Sequence, residues 1–475
     1  MVDRRAWMAS LCGLACIVAA CTSPQDPSEP APAPTHGAAG IGDEYYPEAG
    51  NGGYDVDHYE VGVRYVPDSH QLTGDTTVTA HATQRLSRFN LDLRGFAVSS
   101  VEVDGRKAEF TREGDTELVI TPSAPVAEGS VFTTRVRYEG KPVSADLGQL
   151  GGNGWYRSPS GGAFVFGEPQ SASYWYPVNE HPRDKATFSV TATVPKGWTA
   201  VSVGTGGEPT TKGGWTTTTW SESDPVASYL TMFAVDRFDV ETSTLEDGTP
   251  VRNVFAPGAD DARDEAARTE EIVEYLASRF GDYPASTAGG VYLDNATGFA
   301  LETQGTPTYP SGPNVELLVH EIAHQWYGNS VSVHSWADIC LNECFASYAT
   351  WLWAEDKEGA DLDAFYRQRV EAMRGNHDFW SQPLYDMGAG NEFDAVYVKG
   401  PLAVHALRLR VGDEAFDRLL REWPAEHANG NASWEDFEKF AERVSGQELD
   451  EFFRAWFRGT EAPGDEHLYP EPPRR

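Results

Sequence analysis

Residues 311–355 read SGPNVELLVHEIAHQWYGNSVSVHSWADICLNECFASYATWLWAE. Within them HEIAH sets His320 and His324 four residues apart, the spacing at which two side chains share one face of a helix. The first half is predicted as a complete helix. Val315, Val319, Ile322 and Trp326 recur at helical spacing, Pro313 suits the first turn, and Gly328 offers a stop. The second half is another helical pattern, and it carries Glu343 nineteen residues after His324. A carboxylate in so apolar a run is costly to bury without a cation. Two imidazoles and a carboxylate from two helices hold one zinc ion and leave a fourth position for water, an open site rather than a closed structural one. Glu321, on the rim of the same helix face, is placed to act as general base toward that water.

The rest of the chain supplies the setting. With 475 residues, 40% of them hydrophobic, it is long enough for two or three domains with real cores. The formal net charge of -35 repels phosphate backbones, and no basic patch with interleaved aromatics stands out, so nucleic acid is not expected as a partner. Arg4 and Arg5 precede the apolar stretch AWMASLCGLACIVAA, which is too short to cross a bilayer comfortably and ends at Cys21. This pattern resembles a bacterial lipoprotein signal over 1–20, with Cys21 as the lipidated first residue of the mature chain. It places the protein outside the cytoplasm, anchored by lipid to the outer face of a bacterial membrane or in the periplasm. Cys340 and Cys344 flank Glu343; a disulfide within one helix is awkward, and both are expected as small buried hydrophobes.

Residues 21–50 are rich in proline and small residues and read as a flexible tether. From 51 to 245 the pattern alternates in HYEVGVRYV, TTVTAHATQRL, VFTTRVRYE, KATFSVTATV and YLTMFAV, which predicts an all-β domain of mostly antiparallel sheets. From 246 to 460 helical patterns dominate after two strand-like segments, GGVYLDN and GFALETQ. Residues 461–475 read as a short extended tail.

From about 52 to 460 the chain resembles the zinc aminopeptidase family of aminopeptidase N and leukotriene-A4 hydrolase. The resemblance rests on HEIAHQWYGNSV, the Trp336-x-Asp338 pair, LNECFASY, GFALETQ, VYVKG and FGEPQSASYWYPVNEHPRDKATF. It implies an N-terminal all-β domain of saddle-like antiparallel sheets and then a thermolysin-like α+β catalytic domain, in a short form without the family's large helical C-terminal domain. It implies one zinc per chain on His320, His324 and Glu343, with Glu321 as base. Tyr397 would donate to the developing oxyanion, and Glu302 and Glu168 would hold the free α-ammonium of a peptide, with residues 298–301 adding to its backbone as an edge strand. Asp338 is a candidate to support a zinc histidine from behind. Cys344 stands where the family has glycine and Thr303 where it has asparagine. Two rival readings are a zinc endopeptidase or other hydrolase, such as an epoxide-opening enzyme, on the same frame, and an inert surface protein that binds peptides.

Overall fold

The structure, a computed structural model, describes residue 33 and residues 35–146, 152–294 and 298–470. The expected signal and Cys21 lie outside the described residues. The amino-terminal half is built on a nine-stranded sheet. Its long members are β1 (Tyr54–Val66), β2 (Gln71–Ala82), β3 (Val131–Gly140), β4 (Ala186–Pro195) and β5 (Trp215–Val226). β1, β2 and β3 pair antiparallel in sequence order, whereas β4 joins β1 in parallel. Alternation drives the pairing: Tyr59, Val61, Val63 and Tyr65 face inward and Glu60 and Arg64 outward. A bulge between Val56 and His58 shifts the parity, so that Tyr54 and Val56 point to the same core.

A four-stranded and a five-stranded sheet complete the amino-terminal half, and another sheet of four strands starts the catalytic half. β6 (Asp239–Thr244) runs antiparallel to β7 (Pro250–Phe255), followed in parallel by β8 (Ala288–Tyr292) and β9 (Thr308–Tyr309). The expected boundary at 245/246 lies in the turn between β6 and β7, the two arms of one hairpin. Helices follow: α1 (Thr269–Phe280), α2 (Val315–Ala323), α3 (Cys340–Trp353), α4 (Leu362–Met373), α5 (Lys399–Val411), α6 (Asp413–Glu426) and α7 (Trp434–Ser445).

Three other expectations change. Thr35–Asn51 is not a free tether: Thr35–His36 pairs with Leu86–Asp92, and Asp43 is buried against the catalytic half. Ala33 is exposed; the rest of 21–34 lies outside the described residues. The tail is packed as far as Pro470, since Asp465–Leu468 is a helical turn and the Tyr366 hydroxyl donates to the Leu468 carbonyl at 2.6 Å. Cys340 and Cys344 form a disulfide, with Cα atoms 4.8 Å apart. That separation lies within ordinary disulfide span, because α3 starts at Cys340 and its first turn is tight.

Candidate active site

α2 begins where the Asn314 side chain accepts from the Leu317 amide at 2.8 Å, a side-chain cap that leaves Pro313 just outside the helix. The helix ends at His324, and the chain turns back through Gly328 at φ +134°. A Cβ there would stand 3.2 Å from His324 Nδ1, so space as well as backbone conformation requires glycine. α3 lies beside α2 and brings Glu343 to the two imidazoles. His320 Nε2 and His324 Nε2 are 3.1 Å apart, and Glu343 Oε2 is 3.3 Å from the first and 3.5 Å from the second. A tetrahedral zinc with bonds of roughly 2.0–2.1 Å sets its donors about 3.3 Å apart, so the trio has the separations of three ligands. His324 Nδ1 donates to the Tyr327 carbonyl at 2.9 Å, which leaves Nε2 as the free lone pair.

The electrostatics point the same way. Four buried carboxyls, Glu168, Glu302, Glu321 and Glu343, face this pair of histidines. Burial, then repulsion from neighbouring acids, pushes Glu168 and Glu321 well up; burial also raises Glu302. Burial acts upward on Glu343 too, but His324 and His320 hold it at about 2. His324 is raised to about 10, because Glu343, Glu302 and Glu321 outweigh its burial. Four carboxyls against two imidazoles leave this pocket with an excess of negative charge, and a divalent metal plus a substrate ammonium are the charges that fit it. Glu302, Glu321 and His324 form an overlapping set of potential donors. Glu302 also accepts from the Tyr229 hydroxyl at 2.9 Å, which suits a group that holds something beside the metal.

Glu302 is fixed from behind. Its carbonyl accepts from Asn329 Nδ2 at 2.7 Å and from Gln325 Nε2 at 3.2 Å, while the Gly305 amide donates to Gln325 Oε1 at 2.8 Å. The end of α2 thus clamps residues 302–305. Thr303, in the place of asparagine, donates its hydroxyl to the Thr306 carbonyl at 2.6 Å and serves the turn. Glu168 comes from the β half, on a loop gathered by Glu180, whose carboxylate accepts from the amides of Ser171, Ala172 and Ser173. Ser171 donates to the Tyr229 carbonyl and the Gln304 amide donates to Leu230, so both halves meet at the amine-binding candidates. Residues 298–300 line the adjoining cavity, but of the proposed edge strand Leu301 alone bridges, to Thr308.

Tyr397 is half exposed at the mouth of the site, its ring centroid 6.0 Å from that of His320. It precedes α5, which is set by the Lys399 ammonium donating to the carbonyls of Trp380, Gln382 and Gly459. A Cβ on Gly400 would meet Cys344 Sγ at 2.6 Å, so α5 approaches α3 closely where the disulfide sits. Asp338 is not behind a zinc histidine. It accepts from the amides of Ser335 at 3.0 Å and Trp434 at 2.8 Å, and the Tyr327 carbonyl takes the supporting role toward His324.

Comparison with known proteins agrees with this geometry. Residues 55–230 match the Peptidase M1 N-terminal domain, and residues 289–456 the Peptidase family M1 domain. The M1 zinc metallopeptidase of Deinococcus radiodurans superposes with a TM-score of 0.82 at 31% identity, covering 92% of this chain and all of that one. The chain belongs to the M1 zinc metallopeptidase family. A mutant of the Deinococcus enzyme, bound to a Tyr-Ser-Ala substrate, matches with a TM-score of 0.79 at 30% identity, over 90% of this chain and 98% of that one. Aminopeptidase M1-B of Oryza sativa subsp. japonica is 29% identical over 318 residues, 61% of this chain and 36% of the relative. The chain thus spans about a third of the length of the curated relatives it matches.

As an M1 member, the protein uses residues that pattern reading passed over. Tyr229 orients Glu302, Gln325 and Asn329 anchor the Glu302 backbone, and Trp336 packs edge-on against both Tyr229 and Tyr46. Glu392 is fully buried, and its charge acts on Glu168 and on the Tyr46 hydroxyl. The one signal available was position: Gln325 and Asn329 follow the metal helix directly. Nothing in their neighbourhood pairs Tyr229 or Glu392 with the site.

Proposed function

We propose that the protein is a zinc-dependent aminopeptidase that removes the first residue of peptides. The observation that carries this is the placing of a ligand trio next to two buried acids, Glu302 and Glu168, brought from different halves of the fold to one end of the site. Zinc, when bound, supplies Lewis acidity toward water and toward the scissile carbonyl. Glu321, one residue from His320, takes the proton of the attacking water and returns it to the leaving amine. The Tyr397 hydroxyl donates to the oxygen on which negative charge develops. Glu302, oriented by Tyr229, and Glu168 accept hydrogen bonds from the α-ammonium, and this counts one residue from the end. The Tyr-Ser-Ala substrate of the Deinococcus relative has the same chemistry, a short peptide with a free amine.

The deciding experiment is a panel of amino-acid amides and short peptides, free and N-acetylated, assayed with and without a chelator. Hydrolysis of the free forms alone, abolished by the chelator and restored by zinc, is the expected outcome. Acetylated peptides cleaved as fast as their free twins would overturn the assignment in favour of an endopeptidase.

We further propose that the protein is exported and held to a membrane through lipid on Cys21. The charged, apolar and small-residue order before Cys21 supports this, as does a Cys340–Cys344 disulfide, which suits an oxidising compartment. No helix among the described residues is long and apolar enough to cross a membrane. Cys21→Ala should move the protein from the membrane fraction to the soluble one; a variant that stays with the membrane refutes the anchor.

A further inference from the structure

The site has a direction. Its amine end lies near the carboxy terminus of α2, where Gln325 and Asn329 hold Glu302. From His320 and Glu321 a cavity of about 580 Å³ runs the other way, past Tyr397, Ser347 and Trp351 toward Glu316 near the start of the helix. A second cavity, of about 480 Å³, continues it, and the two share Glu316, Thr350 and Trp351 as walls. The floor of the second is apolar. Trp351 and Phe365 meet edge-on at 4.9 Å between centroids, with Leu362 and Ala354 beside them, and Phe365 is 37% exposed. Glu316, Glu358 and Asp361 stand among its walls; among the described residues no lysine or arginine lines it directly, while Arg369 lies over the Phe365 ring at 5.2 Å and Lys357 over the Trp353 ring at 5.4 Å.

Local structure makes the groove. Directly after α3 the helix widens into a π turn over Ala354–Glu358, and Gly359 at φ +74° reverses the chain into α4, whose first turn is held by Asp361 accepting from the Ala364 amide. α4 therefore starts away from α2 and leaves a trough between them. Distance along α2 indexes the trough against a peptide. At about 1.5 Å per residue, Glu316 lies about 6 Å from His320 along the axis. An extended chain advances about 3.3 Å per residue, so two residues beyond the cleaved bond reach Glu316.

We propose that this second cavity is a subsite for the third and fourth residues of a peptide substrate, and that it takes an aromatic side chain next to a basic one. The proposal rests on the aminopeptidase reading and adds a substrate class to it: peptides of four or more residues, selected on the departing side as well as at the amine. The aromatic side chain enters the Trp351–Phe365 corner, and the cation meets Glu316, Glu358 and Asp361.

The test is a series with one first residue, X, the best of the amide panel: X-Ala, X-Ala-Phe-Arg and X-Ala-Asp-Glu. The expected kcat/KM for X-Ala-Phe-Arg is at least tenfold above both others, mostly through KM. Phe365→Ala should shrink that ratio at least fivefold and Phe365→Trp should retain it, a contrast that a general loss of folding does not produce. Glu316→Gln should narrow the gap between X-Ala-Phe-Arg and X-Ala-Phe-Ala. A flat series, with the X amide still cleaved, overturns the subsite and leaves the aminopeptidase reading standing. Failure to cleave any free-amine substrate overturns both.

Discussion

The two ends of the site differ in construction. At the amine end the groups are buried: Glu302 is held by Tyr229, Gln325 and Asn329, Glu168 sits on the loop gathered by Glu180, and Trp336 lies between Tyr229 and Tyr46. At the departing end the walls are helix surfaces, partly exposed, with an aromatic corner and loose acids at the rim. The contrast teaches a division of labour. Register and charge are set where water is excluded and each hydrogen bond is costly to lose. The departing side is left to a partly exposed surface with an aromatic corner.

Substitutions at the chemical centre should have the largest effect and should not distinguish the two ends. Glu321→Gln is expected to keep one zinc per chain by elemental analysis and to lower kcat by about 10³-fold, the range of a general base. A variant that retained normal turnover would remove Glu321 from its role. Next comes Tyr397→Phe, which loses a donor to developing charge. It should cost about 10²-fold in kcat with little change in KM, since the hydroxyl acts chiefly in the transition state; a change confined to KM would make Tyr397 a binding group.

Glu302→Gln probes the amine end directly. Loss of a charge-assisted hydrogen bond of roughly 2 kcal/mol predicts about a 30-fold fall in kcat/KM for free-amine peptides. The discrimination against acetylated twins should narrow in step. If both substrates lost rate equally, Glu302 would be supporting the fold instead of reading the amine.

The smallest effect on catalysis is expected from Asp43→Ala, in the segment that braces the Trp336 wall. Asp43 accepts from the Trp336 amide at 2.9 Å and the Ser335 hydroxyl at 3.0 Å, and its carboxylate is 3.1 Å from His181 Nε2. Removing this buried acceptor leaves the Trp336 amide and the Ser335 hydroxyl without their partner and costs roughly 1–3 kcal/mol, read as a lower melting temperature. Burial acts upward on this carboxyl, but the His181 ring and the amides of Trp336 and Tyr45 hold it well below its ordinary value. A depressed carboxyl contributes its stability above the unfolded value of about 3.8 and loses it as pH falls further. The gap in melting temperature between wild type and variant should therefore be widest near neutrality and close below about pH 4. A gap independent of pH would mean that packing, not charge, is what Asp43 supplies.

Much of the catalytic half was legible because its signals are local. His320 and His324 sit one helical turn apart, and the apolar run around Glu343 leaves a carboxylate that only a cation explains. The β half was legible by alternation, except where the bulge near Asp57 shifts the parity of β1. Composition misled in two places. Proline and small residues mark a chain with little intrinsic order, yet Thr35–Asn51 is held by buried hydrogen bonds that Asp43 makes to residues almost three hundred positions away. The tail likewise looked extended until Leu468 found a place against Tyr366. The Cys340–Cys344 pair was read as two packed thiols because an average helical turn was assumed, while the helix starts at the first of them.

The order of residues along the chain was enough to name the His320, His324 and Glu343 cluster and the two classes of domain, since each of these depends on spacings of a few residues or on periodicity. It could not say that Tyr229, Trp336 and Asp43 wall the amine end, that Asp338 caps a turn while the Tyr327 carbonyl supports His324, or that α4 starts away from α2 and leaves a trough. Those are contacts between segments far apart in sequence. Burial and hydrogen-bond satisfaction select them once the whole chain has packed, and no local pattern encodes the partner.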